Sequence, residues 1–205
     1  MLPTAIFTDL GGVLLTNGWD RHARERAAAR FGLDSAEVDE RHGQAFDAYE
    51  EGKLSLDEYL YRVVFYENRS FTVDAYKAFM FEQSQPFPDM LDLIRRLKDR
   101  YHLKIVVISN EGRDLTAHRI AAFKLTDFVD VFVVSCYVHF RKPDHDIFQV
   151  ALDVSQVSAD QAMYLEDRPL FVEVARSLGI PSIRHVSYDA TRAALAGLGL
   201  SLDGA

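Results

Sequence analysis

The spacing of the short apolar runs constrains this chain most. Ala5–Thr8, Leu103–Ile108, Val129–Val134, Ala162–Leu165 and Pro181–His185 each end in polar residues and hand over to a helical pattern. Such alternation builds βα units around a parallel sheet, so the expected class is α/β, a three-layer Rossmann-like parallel sheet. A helix is expected from Glu111 to about Phe123. Another is marked by Met90, Leu93, Ile94, Leu97 and Tyr101, which fall on one helical face. Pro143 is placed at the first position of a helix, where its missing N–H costs nothing. Ser158–Gln161 has the form of a capping box but precedes a strand-like run. From Ser187 onward one helix and then a frayed tail are expected.

The first two strands lie too far apart for one crossover helix, so something is inserted between them. The division drawn is a sheet domain of residues 1–17 and 86–205 and an inserted helical-bundle cap of residues 18–85. Leu56, Tyr59, Leu60, Val63 and Val64 repeat at helical spacing behind a capping box, Ser55 to Glu58. The insert holds 12 of the 24 aromatic residues, read as its own core, and carries nine basic against fourteen acidic side chains. The whole chain, 205 residues with net charge −8, therefore favours small-molecule partners over nucleic acid or anionic lipid. No apolar stretch suggests a membrane span, and the expected location is cytoplasmic. Cys136, the only cysteine, excludes an intrachain disulfide. Monomer and homodimer both stay open.

Parallel sheets place ligands beyond the carboxyl ends of their strands. There the sequence puts Asp9, followed by Leu10, Gly11 and Gly12; then Ser109 and Asn110; then Lys142; then Glu166 and Asp167. Magnesium takes hard oxygen ligands, which Asp9 and Asp167 could supply. Asp9 could also attack phosphorus, with Lys142 as a point charge beside it. Ser109 and the N–H groups after it would cradle phosphate, and the glycines let the backbone turn closely. Read singly, Ser109 could cap a helix, Lys142 could be solvated, and Glu166-Asp167 could be an acidic loop. Only four residues lie between Cys136 and Arg141, too few for a cysteine loop that wraps phosphate, and His139 and His145 have no metal-ligand spacing.

The segments IFTDLGGVL, VVISN, RKPDHDIF and YLEDRPLFVEVARSLGI, in that order, resemble the haloacid dehalogenase superfamily. They are most similar to its sugar-phosphatase-like members and to the phosphatase domain of soluble epoxide hydrolases. The resemblance implies a magnesium-dependent phosphatase with Asp9 as nucleophile and metal ligand, Gly11 offering its carbonyl to the metal, Asp167 as a further ligand and Glu166 acting through water. It gives Ser109, Asn110 and Lys142, with the backbone of Gly12, to the phosphate. Most such phosphatases carry an aspartate as general acid and base where this chain has Gly11, a loss of ~10²–10⁴-fold if nothing replaces it. That tilts the expected substrate toward a sugar phosphate with an anomeric leaving oxygen, or an acyl phosphate. Phe171 stands where asparagine is common. The rivals are a metal-independent 2-haloacid dehalogenase, which the adjacent Glu166 and Asp167 argue against, and a weakly active phosphate-binding regulatory protein. Trp19, Asp20 and His22 are candidates near the hinge of the insert.

Overall fold

The computed structural model describes residues 2–202. Ala5–Thr8 (β1), Lys104–Ser109 (β2), Val131–Val134 (β3), Ala162–Glu166 (β4) and Ser182–Arg184 (β5) form one sheet in the order β3-β2-β1-β4-β5. Every neighbouring pair is parallel. β1 is central, pairing β2 on one side and β4 on the other, with Thr8 level with Val107 and Leu165. Residues leaving the carboxyl ends of these three strands therefore converge at the point where strand order reverses.

The strands are apolar on both faces because both faces are covered. Ile6, Ile105, Val107 and Leu165 pack toward Pro88–Tyr101 (α5) and one buried cluster. Ala5, Phe7, Val106, Ile108 and Tyr164 face a second cluster, which includes Ile147, Phe148 and Ala175. Those residues come from His145–Ser155 (α8) and Pro169–Ser177 (α9). The sheet region also contains Arg113–Ala122 (α6), Ser135–Val138 (α7) and Tyr188–Gly197 (α10). No helix among the described residues is long and apolar enough to cross a membrane.

Between β1 and α5 stand four helices, Arg21–Phe31 (α1), Ser35–Glu50 (α2), Leu56–Val63 (α3) and Val73–Glu82 (α4), around a cluster of their own. The Ser55 hydroxyl accepts from the Glu58 N–H, and the Glu58 carboxylate accepts from the Ser55 N–H. Tyr59 and Tyr76 are fully buried; Tyr49 stacks on Tyr59 with ring centroids 4.8 Å apart. The two connecting segments are stitched together, Thr16 N–H to Gln85 O at 2.8 Å and Gln85 N–H to the Thr16 hydroxyl at 2.9 Å.

Local chemistry shifts several boundaries. α6 starts at Arg113 rather than Glu111, because the Glu111 N–H is taken by the Ser135 hydroxyl (3.0 Å) and Gly112 becomes the N-cap. Pro143 does not open α8: it lies two residues before His145, in a turn closed by the Asp144 N–H on Arg141 O, and Asp144 is the N-cap. The Ser158 hydroxyl bonds Asp160 ahead of a single 3₁₀ turn, not an α-helix. The segment after α10 is docked rather than frayed as far as it is described: Leu200 is buried, and the Tyr101 hydroxyl donates to Ser201 O and accepts from its N–H. Residues 203–205 of the expected tail lie outside the described residues.

Two glycines should respond oppositely to alanine. A Cβ at Gly112 would run into the Tyr49 ring, whereas nothing lies within 4 Å of one at Gly43, an exposed position of helix α2. Gly112→Ala is expected to destabilise by ~1–3 kcal/mol and Gly43→Ala to stabilise by ~0.5–1 kcal/mol. Urea unfolding measures both, and equal effects would contradict the packing described.

Candidate active site

Asp9 leaves the end of β1 with its N–H bonded to Leu165 O (2.9 Å), which fixes its side chain beside Glu166 at the end of β4. Asp9 Oδ1 accepts from the Leu10 N–H at 2.7 Å and from Lys142 Nζ at 3.0 Å. The same ammonium donates to Glu166 Oε2 at 2.7 Å, and the Tyr164 hydroxyl donates to that oxygen at 2.5 Å. Glu166 Oε1 accepts from the Arg168 N–H. The Phe171 ring lies 5.2 Å from Lys142 Nζ, so it walls in the ammonium. Lys142 is thus neither solvated nor free, with 1% of its side chain exposed.

The charges do not balance. Asp9, Glu166 and Asp167 each present an oxygen within 4.8 Å of the other two, with one ammonium between them. Burial works against charge on Glu166, yet Lys142 and its hydrogen bonds hold that carboxyl well below the usual range. Asp9 is left above its ordinary range, by burial first and by Glu166 and Asp167 besides, despite the pull of Lys142. Asp167 is pushed up to about 6 by burial and by the neighbouring Glu166. Burial opposes the charge of Lys142 too, but Asp9 and Glu166 keep it above the normal lysine range. Asp167 Oδ1 is buried with no hydrogen-bond partner, an arrangement that costs energy unless something else meets it. An excess of hard oxygen donors with one orphaned oxygen suits a small divalent cation, so the residues fit such an ion.

Gly12, at φ +80°, has no room for a side chain, because a Cβ would strike the Asp167 carboxylate. Gly11 is different: its Cβ would lie 3.0 Å from Asn17 Oδ1 and 3.7 Å from Arg119 Nη1, and its backbone is not left-handed. Ser109, at the end of β2, is buried and does not cap α6. Asn110 grips Lys142 with both ends of its amide: Nδ2 donates to Lys142 O and Oδ1 accepts from its N–H, both at 2.8 Å. Its side chain thus positions Lys142.

Asp9, Gly11, Ser109, Asn110 and Lys142 share one cavity of about 320 Å³, at the small end of ligand sites. Gly12 and Asp167 instead face a neighbouring groove with Asn17, His185 and Tyr188. Four residues of α2, His42, Phe46, Tyr49 and Glu50, supply part of the cavity wall, with Arg21 and Arg24 of α1. Of the hinge candidates, Trp19 and Asp20 reach the wall, Trp19 buried and bonded to the Tyr59 hydroxyl, Asp20 capping α1. His22 is exposed and pairs with Glu25.

Sequence reading missed the long-range partners. Arg119, on α6, is buried and pairs with Glu111 while donating to Thr16 O (2.8 Å) and the Ser84 hydroxyl (3.0 Å), one from each connecting segment. Arg141, next to Lys142, pairs with Asp47 and with Glu50 (2.6 Å) of α2. Of the insert's residues on the cavity wall two are basic, Arg21 and Arg24, and two acidic, Asp20 and Glu50, so the acid excess of the insert does not extend to its inner face. No local pattern marks Arg119 or Glu50: each is one charge among many on a helix.

A profile for the family described as haloacid dehalogenase-like hydrolase matches residues 22–185. The chain is 25% identical to the D-ribitol-5-phosphate phosphatase of Bacteroides thetaiotaomicron over 194 residues, 90% of this chain and 92% of that one. Its fold matches that of the HAD family enzyme BT-2542 from the same organism, in complex with magnesium and inorganic phosphate, with TM-score 0.76 and 20% identity over 89% of this chain and 93% of that one. It also matches the L-2-haloacid dehalogenase of Xanthobacter autotrophicus, with TM-score 0.62 and 16% identity over 96% and 83% of the two chains.

Replacing Lys142 by methionine would leave Asp9 and Glu166 buried without their shared cation. The expected cost is ~3–5 kcal/mol in chemical denaturation. A loss below about 1 kcal/mol would mean that the ammonium does not hold the site together.

Proposed function

We propose that this chain, which belongs to the haloacid dehalogenase-like hydrolases, is a magnesium-dependent phosphatase of small phosphorylated metabolites, sugar phosphates foremost, acting through an aspartyl phosphate on Asp9. The observation that carries this reading is the convergence of Asp9, Glu166 and Asp167, with Lys142 paired to the first two and both Asp9 and Lys142 on the wall of a small cavity. A metal-free displacement has no use for three carboxylates so close together or for the orphaned Asp167 oxygen.

In this reading Asp9 and Asp167 hold the ion directly, with the Gly11 carbonyl as a third protein ligand and Glu166 acting through water. The ion's contribution is to offset the repulsion between a carboxylate and a phosphate dianion. Lys142 orients the Asp9 carboxylate and favours its charged form against burial, and its own position is set by Glu166, Tyr164 and the Asn110 amide. Ser109 and the backbone N–H groups after it receive the phosphate oxygens, and the backbone of Gly12 passes close by. Residues 18–85 act as a cap whose inner face bounds the leaving group and excludes water. A cavity of about 320 Å³ is of a size to take a phosphate with a short polyol or sugar. The likeness to a ribitol-phosphate phosphatase points the same way.

Phosphate release measured over a panel of sugar, polyol and acyl phosphates should require magnesium, disappear in a chelator and fall by ~10³-fold or more in Asp9→Asn. Halide release from 2-chloropropionate in the presence of chelator, with no phosphate release under any condition, would replace this reading by the dehalogenase one.

A further inference from the structure

Cleaving an alkyl phosphate leaves a strongly basic alkoxide, which needs a proton as the bond breaks. The loop that carries Asp9 cannot supply it: from Leu10 to Trp19 the sequence has no ionisable side chain. The donor must then come from elsewhere on the cavity wall. Glu111 is committed to Arg119 and to the Thr116 hydroxyl. His42 bonds the Tyr59 hydroxyl, and burial pushes it down to about 4, so its ring is neutral near pH 7. Asp20 caps α1 through the Ala23 N–H.

Glu50 differs from all three. It closes helix α2 on the inner face of the insert, is 6% exposed, and lines the same cavity as Asp9 and Ser109. Its backbone is anchored to the sheet domain by one hydroxyl: Ser135 Oγ donates to Glu50 O at 2.7 Å and accepts from the Glu111 N–H at 3.0 Å. This holds the end of α2 against the loop that follows Ser109. Arg141 Nη2 bonds Oε2 at 2.6 Å, and Oε1 has no hydrogen-bond partner among the described residues.

We propose that Glu50, contributed by the insert, is the general acid and base of the reaction, taking the part that Gly11 cannot play. This rests on the phosphatase reading above. As Asp9 bonds to phosphorus and the bond from phosphorus to the leaving oxygen breaks, the Glu50 carboxylic acid gives its proton to that oxygen, so that an alcohol departs and a carboxylate remains. Water then attacks the phosphorus of the aspartyl phosphate and gives a proton to Glu50. Inorganic phosphate leaves, and Asp9 regains its carboxylate. Burial supports the role: it raises Glu50 to about 7 against the pull of Arg141 and Arg168, with Glu111 and Asp47 adding to the rise. A carboxyl that holds its proton near neutrality can deliver it.

The test compares two esters in one preparation, glycerol phosphate with a basic leaving oxygen and p-nitrophenyl phosphate with a weakly basic one. In Glu50→Gln, which keeps an acceptor for Arg141 and loses only the proton, kcat/KM for glycerol phosphate should fall ~10²-fold while that for p-nitrophenyl phosphate changes less than about threefold. The ratio does not depend on the folded fraction. Glu50→Asp, which draws the carboxyl back by one methylene, should show a loss with the same selectivity. Equal losses on both esters, as a purely structural role would give, or no loss on either, would overturn the assignment of Glu50 while leaving the phosphatase intact. A wild-type protein that releases phosphate from neither ester, nor from any member of the sugar, polyol and acyl phosphate panel, with magnesium present would overturn both readings.

Discussion

One buried ammonium organises this molecule. Lys142 Nζ sits between Asp9 and Glu166, bonded to both and closed in by Tyr164 and Phe171. Taking carboxylates out of water costs several kcal/mol each even after relaxation, so they stay charged only where a cation and hydrogen bonds meet them. Glu166 is fully met, by Lys142, Tyr164 and the Arg168 N–H. Asp9 is met only by Lys142 and the Leu10 N–H, and Asp167 Oδ1 has no partner, so those two oxygen sets are where a further cation could be met. The sheet serves this arrangement: β1, β2 and β4 are adjacent, and their ends bring together residues far apart in sequence.

The second constraint is the seam between the insert and the sheet domain. Arg119 holds both connecting segments from one guanidinium. The end of α2 docks through Arg141, Ser135 and close backbone approach, for a Cβ at Gly52 would strike Cys136 O. Tyr49 lies directly on Gly112, at the start of α6. The insert and the loops that carry Ser109 and Lys142 are thus in contact at several points, so a movement of one is felt at the other.

The sheet and the residues at its strand ends were legible from the amino-acid pattern, because buried parallel strands read as apolar runs and each run ends at its chemistry. Asp9, Ser109, Lys142, Glu166 and Asp167 could be picked out on those grounds. The beginnings of helices were less legible. Glu111 and Pro143 look helical by position, but one N–H is taken by Ser135, over twenty residues away, and the other residue sits in a turn closed by Arg141. The part played by the Asn110 side chain depends on a loop some thirty residues away, and the pairing of Glu50 with Arg141 and of Arg119 with Thr16 and Ser84 depends on contacts across the seam or its connecting segments. Periodicity within a helix says which face is apolar; it does not say which charge on the other face meets a loop thirty or ninety positions away.

The central claim is that the Asp9 side chain becomes covalently bonded to phosphorus during turnover. The most direct measurement is acid quenching in the steady state with magnesium and a good substrate, followed by mass spectrometry of the peptide from the start of the chain. The account predicts one phosphoryl group on Asp9 that is lost on treatment with hydroxylamine. An unmodified Asp9 during rapid turnover, or a phosphoryl group carried by a different residue, would contradict it.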